Sequence, residues 1–186
     1  ALLDSSEFYA KMRDETKEHG FAVGDLQIDV SAMLKRKNKI VKRLTTGVAG
    51  LMKKNKIDVY KGTGSIPEAH VVEVAGEEGT QKLSATNIII ATGSVPTELP
   101  FLPFDGASVV SSEHALEFKE VPKKLLIVGA GIIGLEMGSI WSRLGAEVQV
   151  VEILPEALAG WDRQTAKAAQ KEFAKQGIEF NFETKV

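Results

Sequence analysis

A glycine-rich turn at residues 129–134 constrains the fold of this chain more than any other feature of its sequence. The pattern G-x-G-x-x-G follows an apolar, strand-like segment at residues 123–128 and precedes an apolar helix at residues 135–144. A strand, a helix and a further strand are then predicted over residues 147–152, 163–176 and 178–182. This β-α-β-α-β alternation predicts an α/β fold that contains one half of a doubly wound parallel sheet.

If the turn binds a dinucleotide, there is a physical reason for glycine at each of its three positions. Gly129 allows the tight turn from strand to helix, Gly131 lets the backbone approach a pyrophosphate, and Gly134 lets helix and strand pack closely. The unpaired N–H groups at the start of the helix favour an anion there. A purely structural glycine turn is the competing interpretation, but it does not explain the acidic residue that ends the second strand.

That acidic residue, Glu152, favours NAD over NADP. It lies about 20 residues beyond the turn, where a carboxylate accepts hydrogen bonds from ribose hydroxyls and repels a 2′-phosphate. No basic residue occurs among residues 153–156 to offset that repulsion. The alternative is that Glu152 is an incidental acid at the end of a surface strand.

The first half of the chain predicts helices followed by short strands. Helices are expected over residues 2–19 and from Asp29 or Ser31 to about residue 55. The period of the apolar residues changes to two from Ile57 to Ile90, and short strands at Ile57 and Val59 and at residues 71–74 predict a β meander. The β-branched run at residues 87–91 predicts a fully buried strand. Three prolines in residues 96–103 are typical of a connection, so we predict domains at 1–110 and 111–186.

Charge and composition exclude several classes of function. The net charge of -2 and the absence of interleaved aromatic residues make the basic run at residues 35–43 a solvated helix face rather than a nucleic-acid site. The chain has no cysteine, so it holds no disulfide, thiol nucleophile or thiolate metal site. The three histidines are interpreted as surface or structural residues, and no apolar run is long enough to span a membrane.

Several segments together resemble the dihydrolipoyl dehydrogenase family of flavoprotein disulfide reductases. They are VPKKLLIVGAGIIGLEMGS at residues 121–139, NIIIATGS at 87–94, VSSE at 110–113 and the segment at 177–186. The resemblance implies Rossmann-like FAD- and NAD-binding domains, here partial: a parallel sheet with a small antiparallel meander and a long helix.

The resemblance also implies the cofactor contacts. The FAD contacts would be Gly64, Thr92, Gly93 and Ser94. The NAD contacts would be Gly129, Ala130, Gly131, Ile132, Ile133, Gly134, Leu135, Glu136, Glu152 and Val186. Among these, Ile133 would lie over the nicotinamide side of the flavin, Glu136 close to the nicotinamide and Val186 beside the adenine. No residue of the chain takes a catalytic role.

The departures from the family pattern are large. The family's first FAD loop, its paired redox cysteines and its carboxy-terminal dimer domain have no counterpart, so we expect the chain to correspond to the middle of such an enzyme. The function implied for that enzyme is oxidation of the dihydrolipoamide of 2-oxoacid dehydrogenase complexes with NAD. A lipoyl-bearing carrier and a second copy would be its partners, in bacterial cytoplasm or the mitochondrial matrix. A non-catalytic nucleotide-binding module and another pyridine nucleotide-disulfide oxidoreductase are the alternatives.

Overall fold

The computed structural model describes residues 1–186, which form two compact units. One unit comprises Ala1–Ile40 and Pro96–Val186, and the other comprises Val41–Val95. The helices in chain order are α1 (Leu2–Asp14), α2 (Val30–Lys54), α3 (Ser112–Ala115), α4 (Ile132–Arg143) and α5 (Arg163–Lys175). The strands are β1 (Thr63–Glu68), β2 (Val71–Gly76), β3 (Gly79–Ser84), β4 (Lys124–Val128), β5 (Glu147–Val151) and β6 (Ile178–Asn181).

The predicted parallel sheet is present in the larger unit. Its strands lie in the order β4-β5-β6, and all neighbours are parallel. Val128 pairs with Val151, and Val151 pairs with Asn181, so the three carboxyl ends lie at the same edge of the sheet. The structure therefore confirms the α/β class of fold. Ligands of open α/β sheets bind beyond the carboxyl ends of the strands, so this is the edge to examine for a site.

Helix α4 packs on this sheet and supplies more buried apolar residues to the core than any other element. Trp141, Ile140 and Leu135 are almost fully buried, and they pack with Val148 and Val150 of β5. Helix α1 also packs on α4. The core of the larger unit is thus built around a helix that begins at the glycine turn, which fixes the position of that turn.

The first two helices differ in part from their predicted bounds. Helix α1 ends at Asp14, and residues 15–20 form turns, because the polar sequence ETKEH offers no apolar side chain to pack. The start of α2 agrees with the prediction, since the Asp29 carboxylate accepts a hydrogen bond from the Ala32 N–H at 2.9 Å. In the second half of α2 the apolar stripe is exposed, with Leu44, Val48 and Leu51 all facing solvent.

The smaller unit contains the predicted meander. Strands β1, β2 and β3 pair antiparallel in that order, and the β2–β3 register runs without interruption from Val71–Ser84 to Gly76–Gly79. The predicted strand around Ile57 and Val59 is wrong: both residues lie outside regular structure and are exposed.

The prediction of a buried strand at residues 87–91 is also wrong. These residues adopt no regular structure, and the side chains of Ile89 and Ile90 are 89% and 74% exposed. A strand requires a neighbour to pair its N–H and C=O groups, and no strand of this chain pairs with the segment. The β-branched sequence is therefore not sufficient to form a strand here. The 110/111 domain boundary stays a prediction.

Candidate functional site

The backbone of the glycine turn makes a tight connection from β4 to α4, as expected for Gly129. Gly129 has a φ of +99°, a conformation that favours glycine, and its N–H donates to the Val151 carbonyl at 2.8 Å. Gly131 is the N-cap residue of α4, and no side chain caps the helix there. Helix α4 begins at Ile132 rather than at Leu135 as predicted, so the first free N–H groups of the helix belong to the turn itself.

The second and third glycines differ in what surrounds them. A Cβ atom at Gly131 would meet no protein atom within 4 Å, so the space above its backbone is open. A Cβ at Gly134 would lie 2.6 Å from the Gly129 carbonyl oxygen and 3.0 Å from Cγ2 of Ile127. Gly134 therefore serves close packing of helix and strand, whereas no internal contact explains Gly131. An open cradle beside uncapped helical N–H groups fits the pyrophosphate of a dinucleotide.

The carboxylate of Glu152 is held against the glycine turn. Its Oε2 accepts a hydrogen bond from the Ala130 N–H at 2.8 Å, and its Oε1 accepts one from the Leu154 N–H at 2.9 Å. Each carboxylate oxygen has a second lone pair, so both remain able to accept from a hydroxyl. The sequence predicted that Glu152 lies near the turn, but it did not predict these two backbone contacts.

Backbone hydrogen bonds join the segments around Glu152. The Glu152 N–H donates to Asn181 at 2.9 Å, and its carbonyl accepts from the Thr184 N–H at 2.9 Å. On the other side the Leu158 N–H donates to the Ala130 carbonyl at 3.0 Å. The loop after β5 and the segment after β6 are thus tied to the glycine turn, and Val186, which is exposed, lies at the end of that segment.

The remaining residues of the predicted NAD site divide into exposed and buried side chains. Ile132 and Ile133 are 42% and 60% exposed, and Glu136 is exposed on the same helical turn. Apolar side chains at this exposure on an otherwise well-packed helix leave an apolar surface beside the turn. Leu135 is 1% exposed and belongs to the core, so only its backbone is available to a ligand.

The predicted FAD contacts lie in the smaller unit and share no hydrogen bond. Gly64 is in β1, opposite Val74, and a Cβ at this position would meet nothing within 4 Å. Thr92, Gly93 and Ser94 are exposed and lie outside regular structure, with Gly93 at a φ of +77°. Their roles stay predictions.

One basic residue that the sequence assigned to a solvated face is buried. Lys37 is 8% exposed, and its ammonium group donates to the Leu116 carbonyl at 3.0 Å and to the Glu117 carboxylate. This hydrogen bond holds the pKa of Glu117 below its usual range. Lys37 thus joins α2 to the end of α3, a contact between distant segments that no local pattern indicates. Arg36 also has a partner, Asp4, at 2.5 Å.

Sequence reasoning missed a second packing glycine on α4, in addition to Gly134. A Cβ at Gly138 would lie 3.1 Å from Cδ1 of Ile127 and 3.4 Å from Cγ1 of Val148. The signal was available, because Gly138 follows Gly134 at the spacing that places two residues on the same helical face.

Two histidines form structural hydrogen bonds. His114 Nδ1 lies 2.8 Å from the Ser111 hydroxyl, and its contacts complete a capping box at the start of α3. His70 Nδ1 contacts the Ala85 and Thr86 carbonyls at 3.1 and 3.0 Å.

The structure brings together no three carboxylate or imidazole side chains that could hold a metal ion. None of the helices combines the length and apolar character needed to cross a bilayer.

Comparison with known proteins gives a family match over nearly the whole chain. The sequence profile described as "Pyridine nucleotide-disulphide oxidoreductase" matches residues 3–186. Among curated proteins, a mitochondrial dihydrolipoyl dehydrogenase of Dictyostelium discoideum is 45% identical over 100% of this chain and 38% of its own length. A dihydrolipoyl dehydrogenase of Cupriavidus necator is 46% identical over 97% of the chain and 38% of its own length. A leghemoglobin reductase of Vigna unguiculata is 41% identical over the whole chain and 36% of its own length.

Solved structures show the same fold. The crystal structure of LpdA from Mycobacterium tuberculosis aligns with a TM-score of 0.86 at 21% identity, covering 98% of this chain and 40% of that one. The flavoprotein disulfide reductase RclA from Escherichia coli, solved as a Cu(II) complex, aligns with a TM-score of 0.73 at 23% identity, covering 100% and 38%. The chain therefore spans less than half the length of each protein compared here.

Proposed function

The chain belongs to the pyridine nucleotide-disulphide oxidoreductase family, and on that premise we propose that it is the nucleotide-binding segment of a dihydrolipoyl dehydrogenase. The activity assigned to the whole protein is oxidation of dihydrolipoamide with NAD as the acceptor. The cofactors of the family are FAD and NAD(H). Within that protein, this segment would bind and orient the nucleotides.

The observation that carries the proposal is the contact between Glu152 and the glycine turn. The Ala130 N–H lies 2.8 Å from the carboxylate, so the acid for the ribose and the cradle for the pyrophosphate are held together before any ligand binds. Gly131 is open above its backbone, and the first N–H groups of α4 have no side-chain cap. Preorganisation of this kind reduces the ordering cost of binding.

The residues of the turn would divide the work of holding NAD. The N–H groups at the start of α4 bind the pyrophosphate, the Glu152 carboxylate accepts from the ribose hydroxyls, and the exposed side chains of Ile133 and Glu136 face the nicotinamide end. NAD bound here would supply a hydride acceptor. Gly64, Thr92, Gly93 and Ser94 would contact FAD through their exposed backbone.

The relatives support the proposed substrate and partners. The family works with 2-oxoacid dehydrogenase complexes, and we assign a lipoyl-bearing carrier and a second copy of the whole protein as partners. The relatives include mitochondrial proteins of eukaryotes and a bacterial protein, in agreement with a mitochondrial matrix or bacterial cytoplasm location. The leghemoglobin reductase of Vigna unguiculata supports the second candidate, another oxidoreductase of the same family, because its identity is nearly as high.

The cofactor assignment is tested at Glu152. The gene product that carries this segment is prepared as the wild type and as Glu152→Ala, and specificity constants are measured with NADH and NADPH. Charge-assisted bonds to the ribose are worth roughly 1.5–3 kcal/mol, so the variant should lose about one to two orders of magnitude with NADH. NADPH should lose less, because the repulsion of its 2′-phosphate is removed.

Glu147→Ala is the matched control, since Glu147 lies at the other end of β5 and is exposed. It should leave both specificity constants within about twofold, as expected for an exposed ion pair. The proposal is wrong if the ratio of NADH to NADPH specificity is the same in the wild type and in Glu152→Ala. Specificity constants for dihydrolipoamide and for other disulfide or metal-centre substrates then decide between the two candidate functions. A clear preference for dihydrolipoamide favours the dihydrolipoyl dehydrogenase.

A further inference from the structure

A second concave surface lies beside the proposed dinucleotide site. A groove of about 510 Å³ is formed between α5 and the loop after β5, and its walls include Pro155, Glu156, Lys167, Gln170, Lys171 and Phe182, so one carboxylate lies among the basic residues. This volume lies within the range of pockets that bind small molecules. No residue of the glycine turn lines the groove, and Glu152 does not line it either.

One wall of the groove carries a row of positive charge. Arg163, Lys167 and Lys171 follow at intervals of four residues along α5, which places them on the same helical face. Arg163 has one partner, the Glu156 carboxylate at 3.2 Å, whereas Lys167 and Lys171 form no ion pair or hydrogen bond with any other side chain. Like charges at this spacing destabilise a helix, and a bound anion would relieve that repulsion.

The lining of the groove also includes apolar side chains, one of them a flat aromatic ring. Phe182 is half-buried, and its ring is stacked on that of Phe180 with a centroid distance of 5.5 Å and an angle of 9° between the planes. Pro155 contributes a second apolar surface, and Gln170, on α5 between the two lysines, contributes an amide able to donate and accept hydrogen bonds. The groove therefore combines a binding surface for a multiply charged anion with a surface for a planar, weakly polar group.

We propose that this groove binds a nucleoside triphosphate. The phosphate chain would lie along the row Arg163, Lys167 and Lys171, and the base would lie against Phe182 and Pro155. Lysines bind phosphates as point charges, and planar bases stack on aromatic rings. This site is independent of the proposed dinucleotide function, because the two use different residues.

The test is calorimetric titration of the 186-residue chain with ATP at low salt. In the double variant Lys167→Gln/Lys171→Gln the affinity for ATP should fall about tenfold, since two exposed charge contacts are lost. Lys175→Gln is the matched control: Lys175 continues the same row on α5, but it is paired with Glu172 at 2.8 Å and lies outside the groove. It should bind ATP as the wild type does. Equal affinities of the double variant and the control would overturn the proposal.

Further measurements test separately where ATP binds and whether its base contributes to binding. Gly131→Val should retain ATP binding; if it abolishes binding, the nucleotide is held by the glycine turn and the groove is not the site. Phe182→Leu should weaken ATP binding but leave inorganic triphosphate unaffected. If triphosphate binds the wild type as tightly as ATP, the base contributes nothing and the assignment to a nucleotide is wrong. Circular dichroism of each variant verifies the fold, and NADH binding by the groove variants should match that of the wild type.

Discussion

At the scale of single residues, two glycines of one turn meet the motif for different physical reasons. Gly134 is enclosed by the Gly129 carbonyl and by Ile127, so a methyl group there has no room. Gly131 is enclosed by nothing, and its φ of −78° is open to any residue. The need for glycine is therefore explained by packing at position 134 and by a ligand at position 131.

This difference predicts opposite phenotypes for two alanine substitutions. Gly134→Ala should destabilise the fold by roughly 1–3 kcal/mol, because the new methyl group overlaps backbone. Gly131→Ala should cost less than about 1 kcal/mol of stability, the usual range for an N-cap change, yet weaken NADH binding about tenfold. Urea unfolding and NADH fluorescence titration measure the two quantities.

Each variant serves as the control for the other. A Gly131→Ala variant that binds NADH normally would show that the pyrophosphate does not approach this backbone. A Gly134→Ala variant with unchanged stability would show that α4 and β4 can move apart without cost.

At the scale of elements, the start of α5 provides a pH-dependent contribution to stability. Asp162 is the N-cap of α5, and its Oδ1 accepts from the Thr165 N–H and hydroxyl, both at 2.9 Å. The hydrogen bond from the Thr165 N–H, followed by that from its hydroxyl, holds the pKa of Asp162 below its ordinary value. A carboxyl with a lowered pKa in the folded state stabilises the fold above its unfolded pKa, near 3.9, and loses that contribution as the pH falls through the folded value.

Asp162→Ala should therefore lower the melting temperature by a constant amount at about pH 5–8 and by a smaller amount below about pH 4. Thermal unfolding followed by circular dichroism across this range measures the difference. The variant Asp162→Asn keeps a capping oxygen without a titratable group, so the difference between the Asn and Ala variants should not depend on pH. A wild-type advantage over Ala that persists unchanged to pH 2 would contradict the assignment.

Much of the parallel sheet was predictable from sequence, because each of its strands and helices has a recognisable apolar pattern within its own residues. The alternation around residues 123–182 gave the order of elements, and the Asp29 cap gave the start of α2 within one residue. The run at residues 87–91 failed as a strand because strand formation depends on a neighbour, which is a property of the rest of the fold rather than of the run. The end of α1 failed because weak helical periodicity does not specify packing.

The candidate site shows the same limit. The motif predicted the turn and the placement of Glu152 beside it, since both follow from βαβ geometry. It did not predict the hydrogen bonds from Ala130 and Leu154 to that carboxylate, and it assigned Lys37 to solvent. Such contacts join segments that are distant in sequence, and they depend on side-chain positions that no spacing rule specifies.

At the scale of the whole molecule, burial is distributed unequally between the two units. Every fully buried apolar side chain belongs to the larger unit, and none lies between Val41 and Val95. Segments with few buried apolar contacts open more easily. We predict that amide hydrogens of β1–β3 exchange at least about tenfold faster than those of β5 in the free chain. Hydrogen exchange followed by mass spectrometry measures this, and equal protection of β2 and β5 would contradict it.

A second prediction at this scale concerns activity. The 186-residue chain should not reduce NAD with dihydrolipoamide, because it has no cysteine to exchange with the substrate thiols. An assay of the purified chain with both substrates should give no turnover above the protein-free rate. It should also retain little FAD, whose proposed contacts in the chain are a few exposed backbone positions. Protein-dependent turnover, or a stoichiometric flavin spectrum after gel filtration, would contradict these expectations.

The double attachment of Glu152 has a consequence for changing the cofactor preference by engineering. A substitution at this position alters ribose recognition and, in the same step, removes the acceptors of two backbone donors that shape the glycine turn. Replacement by arginine would add a phosphate ligand to a turn that has lost its support. A route that first adds a base at Ile153, and only then replaces Glu152 by glutamine, keeps an acceptor for Ala130 at every step. Libraries built in that order should yield active NADPH-dependent variants more often than libraries that vary position 152 alone.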